Sequence, residues 1–149
     1  MKPTSGEDPA GSTQLLQTLA EFRYQLRRFL QFSENAAHEV QLHPQQHQLL
    51  LQIAGAPDAC SATIAYAAER LGLRHNSMVE LVNRSAAEGL LVRTEDPEDG
   101  RRVVLRITPA GRQVLKKLSE YHARELHELG PSLVRSLKRI EELDKPKTQ

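Results

Sequence analysis

Residues 74–108, RHNSMVELVNRSAAEGLLVRTEDPEDGRRVVLRIT, decide the fold. Arg74, His75, Asn76 and Ser77 set polar side chains ahead of the apolar run Met78, Val79, Leu81 and Val82. That is helix-start chemistry, with the polar groups facing outward. Gly89 supplies a helix stop. Leu90, Leu91 and Val92 then open an extended run, and Val103, Leu105 and Ile107 alternate with Val104 and Arg106 in a returning one. Between the runs lies Glu95-Asp96-Pro97-Glu98-Asp99-Gly100-Arg101-Arg102, whose Asp-Pro and Asp-Gly pairs are turn signals. The expected unit is a short helix, a turn and a two-stranded hairpin carrying two arginines at or just past its tip.

Upstream, Ser61 is the expected cap of a helix with inner face Ile64, Ala67, Ala68 and Leu71, and Gly72 makes the turn into Arg74. A helix, a tight glycine turn and a second helix form the arrangement that reads DNA in helix-turn-helix proteins. His43-Pro44 starts an earlier helix, since proline suits a first turn; Leu49, Leu50 and Ile53 are its buried side, and Gly55 and Pro57 end it. A long helix is expected from Ser12 or Thr13, with Leu15, Leu19, Phe22, Leu26 and Phe29 spaced alternately by four and three residues. Leu16, Leu30 and Phe32 widen this stripe, and the spacing alone suits an ordinary core helix as well as a dimer seam. Thr108-Pro109 starts another helix, carrying Val114, Leu115, Leu118, Tyr121, Leu126 and Leu129, which Gly130-Pro131 is expected to interrupt before a last helix through Leu133, Val134, Leu137, Ile140 and Leu143. Residues 1–12, with Pro3, Thr4, Ser5, Gly6, Pro9 and Gly11, read as a disordered tail.

Several stretches, taken in order, resemble the MarR family of winged helix-turn-helix transcription regulators. They are Thr63-Ile64-Ala65-Tyr66-Ala67-Ala68-Glu69-Arg70-Leu71-Gly72-Leu73, Leu81-Val82-Asn83-Arg84, Glu88-Gly89-Leu90-Leu91, Asp99-Gly100-Arg101 and Ile107-Thr108-Pro109-Ala110-Gly111. The resemblance implies a mainly α fold with a small β-hairpin wing. Residues 13–149 would be a single domain: a winged helix-turn-helix lobe over 44–108 and a helical dimerisation lobe from 13–41 and 109–149. It further implies a cytoplasmic homodimer on a pseudo-palindromic site of double-stranded DNA, acting as a ligand-responsive repressor with a small, often aromatic or phenolic, effector bound between the lobes. By the same resemblance Arg101 enters the minor groove and Asp99 helps orient it.

The residue chemistry can be stated independently. The first residues of a helix in the major groove touch base edges. Asn76 offers a donor and an acceptor to an adenine edge, whereas His75 and Ser77 are less selective, and any of the three could instead cap the helix. Arg74 and Arg84 suit phosphates, which fix register without reading sequence. Arg101, or in its place Arg102, gains from the negative potential of a narrow minor groove; an isolated Asp-Gly-Arg is otherwise a common solvated turn. Three residues depart from the family pattern: Glu80 and Val79 on the reading helix, and Ser85 where the family has a core leucine, which predicts a less firmly packed helix.

At 149 residues the chain suits one domain with a real core. Net charge is +1, and within residues 74–108 six arginines meet six acids, so no basic patch announces nucleic acid. That balance supports an alternative, a winged-helix module that binds protein. A single cysteine and the lack of a long apolar run argue against disulfides and against a membrane partner. His38, Glu39, His43, His47, His122 and His127 admit a metal-sensing variant, with His43 and His47 at a four-residue spacing, but they read better as scattered surface histidines, and no metal or cofactor is expected. Cys60 reads as an inert thiol. There is no Gly-rich phosphate loop, nucleophile elbow or set-apart carboxylate pair, so no catalytic residue is named and an enzyme is not expected.

Overall fold

The computed structural model describes residues 9–146, which fall into two compact units: residues 9–32 with 122–146, and residues 33–121. The chain is mainly helical with one two-stranded hairpin, in the order α1 (Pro9–Glu39), α2 (Pro44–Ala54), α3 (Ile64–Leu71), α4 (His75–Ala87), β1 (Leu91–Glu95), β2 (Val103–Ile107) and α5 (Pro109–Leu143). No described helix is long and apolar enough to cross a membrane.

Helix α1 starts at Pro9, three residues before the expected Ser12, because proline suits a first helical turn and the Thr13 hydroxyl bonds back to the Pro9 carbonyl at 2.8 Å. The tail expected over 1–12 is therefore helical from residue 9, and residues 1–8 lie outside those described. Helix α5 likewise runs unbroken through Gly130-Pro131, against the expected interruption. Proline removes one backbone donor, and Pro131 is exposed, so the turns on either side carry the helix across.

In the unit built from the chain ends, Leu15, Phe22, Leu26 and Phe29 are half-buried. His122 meets Phe29 and Phe32 edge-on at ring distances of 5.8 and 5.5 Å. The Gln25 amide, buried in this unit, donates to Ser132 Oγ at 2.6 Å and to Glu21 at 2.7 Å. Leu16, Leu19, Leu30, Leu126, Val134 and Leu137 remain exposed.

In the other unit the expected proline start of α2 is present, and His43 is its cap: Nδ1 accepts from the Gln45 amide at 3.1 Å, while Gln46 Oε1 accepts from the His43 amide at 3.1 Å. Helix α3 is capped by Thr63, not by the expected Ser61. The Asp58 carboxylate takes the Ser61 hydroxyl at 2.8 Å and the Cys60 and Ser61 amides at 2.9 Å, leaving Thr63 next to the helix. Gly72 closes α3 with φ 67°, a left-handed conformation that costs glycine nothing.

The hairpin pairs Leu91 with Ile107 through Glu95 with Val103. Its returning strand does not alternate as expected: Val104 and Leu105 are both buried and Val103 is exposed. The cause is a neighbour on the far edge of β2, where Thr63 bridges Val104 and the Leu105 amide donates to the Ala62 carbonyl at 2.7 Å. Leu49, Leu50, Met78, Val82, Leu91, Leu105 and Leu118 are fully buried in one core, each contributing roughly 1.5–3 kcal/mol by burial. That core holds α4 and the hairpin from behind.

Candidate nucleic-acid interface

Helix α4 separates its residues cleanly. Met78, Leu81, Val82 and Ser85 are buried, whereas His75, Asn76, Ser77, Glu80, Asn83 and Arg84 are exposed. Arg74 is the N-cap residue in extended conformation, and no side chain caps the helix. His75, Asn76 and Ser77 therefore occupy the first turn with side chains free of capping duty and directed to solvent, beside amides that favour negative charge. Arg84 lies in the last turn, also exposed. Glu80 stays on this outer face, four residues from both Asn76 and Arg84, and brings a negative charge onto it.

The loop between the strands is built by two aspartates. Asp96, buried although acidic, accepts from the Glu98 amide at 2.9 Å, and its own amide extends the ladder to the Arg102 carbonyl at 2.9 Å. Asp99 accepts from the Arg101 amide at 3.1 Å, and its carbonyl accepts from the Arg102 amide at 2.9 Å, closing a four-residue turn. Arg101 and Arg102 are both exposed, but they differ in surroundings. Arg101 stands at the tip, whereas the charge of Arg102 is felt by Asp58. The Asp58 carboxyl is held below its ordinary value by the Ser61 hydroxyl first, then by the Cys60 amide, with Arg102 adding a smaller pull.

Residue reading missed four features. Thr63 as cap was hidden by the nearer Ser61. Asp96 as the buried organiser of the loop was seen only as half of an Asp-Pro turn signal. Arg93 donates to Asn83 at 2.5 Å and ties β1 to α4, a contact with no local signature. Gln46, almost fully buried, joins Ser85 and Glu88, and its only sequence trace is the capping-box spacing from His43.

The histidines are not all at the surface as expected: His47 is buried, and His43 uses Nδ1 as a helix cap. Among the described residues no three metal-ligating side chains come together. Cys60 is exposed in the loop between α2 and α3.

The family model described as MarR family matches residues 40–102, the segment holding α2, α3, α4 and the wing loop. A putative transcriptional regulatory protein for the hcr operon of Thauera aromatica is 31% identical over 98 residues, which are 66% of this chain and 57% of that protein's length. The fold is similar to that of a MarR family protein from Bacillus stearothermophilus, with TM-score 0.69 and 19% identity over 92% of this chain and 97% of that one. It is also similar to a mutant MarR from E. coli complexed with operator DNA, with TM-score 0.61 and 18% identity over 83% of this chain and 90% of that one.

Proposed function

We propose that this chain is a transcription regulator of the MarR family, whose model matches residues 40–102, and that it binds double-stranded DNA as a homodimer at a pseudo-palindromic site and acts as a ligand-responsive repressor. The observation that carries this reading is the pair of free tips on one core: an α4 first turn with no side-chain cap, and a wing turn with Arg101 at its apex. In this reading His75, Asn76 and Ser77 meet base edges, Arg74 and Arg84 meet phosphates, and Arg101 enters the minor groove. Arg102, exposed beside it on the same turn, is the alternative to Arg101 for the groove. Asp99 shapes the wing.

Pairing of two copies is supported by the large apolar side chains that α1 and α5 leave exposed, among them Leu16 at 65%, Leu30 at 54% and Val134 at 48%. Two copies would set the α4 tips roughly 34 Å apart, one turn of duplex. A cleft of about 370 Å³ bordered by Glu39, Gln41, Gln113, Val114 and Lys117 supports a small-molecule effector, and its size lies within the range of ligand sites. Such a ligand acts only through different affinities for two spacings of the tips.

The test is selection of bound sequences from random DNA by the purified chain, followed by binding across a range of salt. Recovery of a two-fold symmetric site with steeply salt-dependent affinity is expected. No selected site, together with salt-insensitive capture of a protein partner, would favour the interaction module that the balanced charge of residues 74–108 supports.

A further inference from the structure

We infer that Gln46, Ser85 and Glu88 form a positioning lock that fixes the rotation of α4 about its own axis, and so decides which first-turn side chains face a bound duplex; this rests on the DNA-binding reading above. Gln46 is 2% exposed and Ser85 is fully buried. The Gln46 amide is used at both ends: Oε1 accepts from the His43 amide at 3.1 Å, and Nε2 donates to Ser85 Oγ at 3.4 Å and to Glu88 Oε2 at 3.0 Å. Ser85 Oγ in turn donates to the Leu81 carbonyl at 2.8 Å. Four hydrogen bonds thus join five polar groups of α2, α4 and their cap residues, around a buried amide and hydroxyl that would be costly to leave unpaired.

The geometry does more than satisfy these groups. One amide grips α4 at two points three residues apart, Ser85 inside the last turn and Glu88 at its C-cap. Residues at that spacing share a helix face. Apolar contact tolerates rotation because it is non-directional, whereas hydrogen bonds weaken steeply once bent. Rotation of a helix by about 20° moves a side-chain tip at a radius of about 6 Å by about 2 Å, enough to break a base-edge hydrogen bond. Ser85 stands where the family pattern has leucine, and the chain gains a direction-sensing contact in exchange for an apolar one. The lock sits at the far end of α4 from Asn76, so it acts through the rigid helix and touches no DNA.

The experiment uses the full chain with Gln46→Met and Ser85→Ala combined, which removes both hydrogen-bonding side chains at near-constant volume; the chain is expected to stay folded with a modest loss of urea stability, because the His43 amide loses its acceptor in the α2 capping box. Affinity for the site selected by the parent should fall about tenfold, and selection from random DNA should give broader preference at the base pairs met by α4. Glu88→Ala and Glu88→Gln provide a second arm at an exposed position; glutamine keeps the acceptor and both remove the charge. Glu88→Ala should bind about threefold more weakly than Glu88→Gln at the same salt. A folded double variant with the parental site and affinity would overturn the inference, as would equal binding by the two Glu88 variants. A parent that selects no site would overturn the DNA-binding reading itself.

Discussion

Asp99 accepts the Arg101 amide at 3.1 Å, so its carboxylate shapes the wing turn through the backbone and leaves the guanidinium exposed. The expected partnership of these residues is therefore conformational. Asp99 presets the turn, and Arg101 remains available.

Arg101→Ala is expected to weaken binding to the selected site about tenfold, a value in keeping with loss of one charge-assisted contact. Asp99→Asn keeps an acceptor for the Arg101 amide and should bind nearly as the parent does, while Asp99→Ala should lie between. Gel shifts at several salt concentrations check the order. Unchanged binding by Arg101→Ala would remove the wing from the interface.

Arg84→Ala should act differently. A phosphate contact adds about 0.9 to the slope of log affinity against log salt, so its loss flattens the slope by that amount without altering site preference. Arg74→Ala should behave alike. A change in preferred sequence would instead mark either arginine as a base reader.

Gly111, in the first turn of α5, lies against the backbone just ahead of β1: a Cβ there would lie 2.1 Å from the Leu90 carbonyl oxygen. Thr108, beside it, donates to the Gly89 carbonyl at 2.5 Å and accepts from the Gly111 amide at 3.1 Å. Backbone cannot step aside as a flexible side chain does. Gly111→Ala should cost about 2–3 kcal/mol in urea unfolding. Stability equal to the parent would contradict the packing described.

Asp58 gives a pH prediction. Its carboxyl is held below the ordinary 3.8, chiefly by the Ser61 hydroxyl, so folding favours the ionised form. The contribution is present above the unfolded value and disappears as pH falls through the lower folded one. Asp58→Asn should therefore melt below the parent near neutral pH, with the gap narrowing under pH 3.8. A gap independent of pH would show that the carboxylate contributes only shape.

The kinds of element and their order follow from local chemistry and are legible in the residues alone. Pro44 and Pro109 set helix starts, Gly72 takes φ 67°, and Asp99-Gly100 turns the chain. The exposure of His75, Asn76 and Ser77 was legible for the same reason, as polar residues ahead of an apolar period. The tertiary structure decided what depends on neighbours distant in sequence. Ala62-Thr63 along β2 buries Val104 and frees Val103, a reversal no strand periodicity can foresee. Asp58 captures Ser61 and moves the cap to Thr63. Ser85, an apparent weakness in the core, becomes a hydrogen-bonded contact only because Gln46 arrives from α2, thirty-nine residues earlier. Local preference acts over one turn of chain, whereas a buried polar group is settled by whichever partner the fold brings within reach.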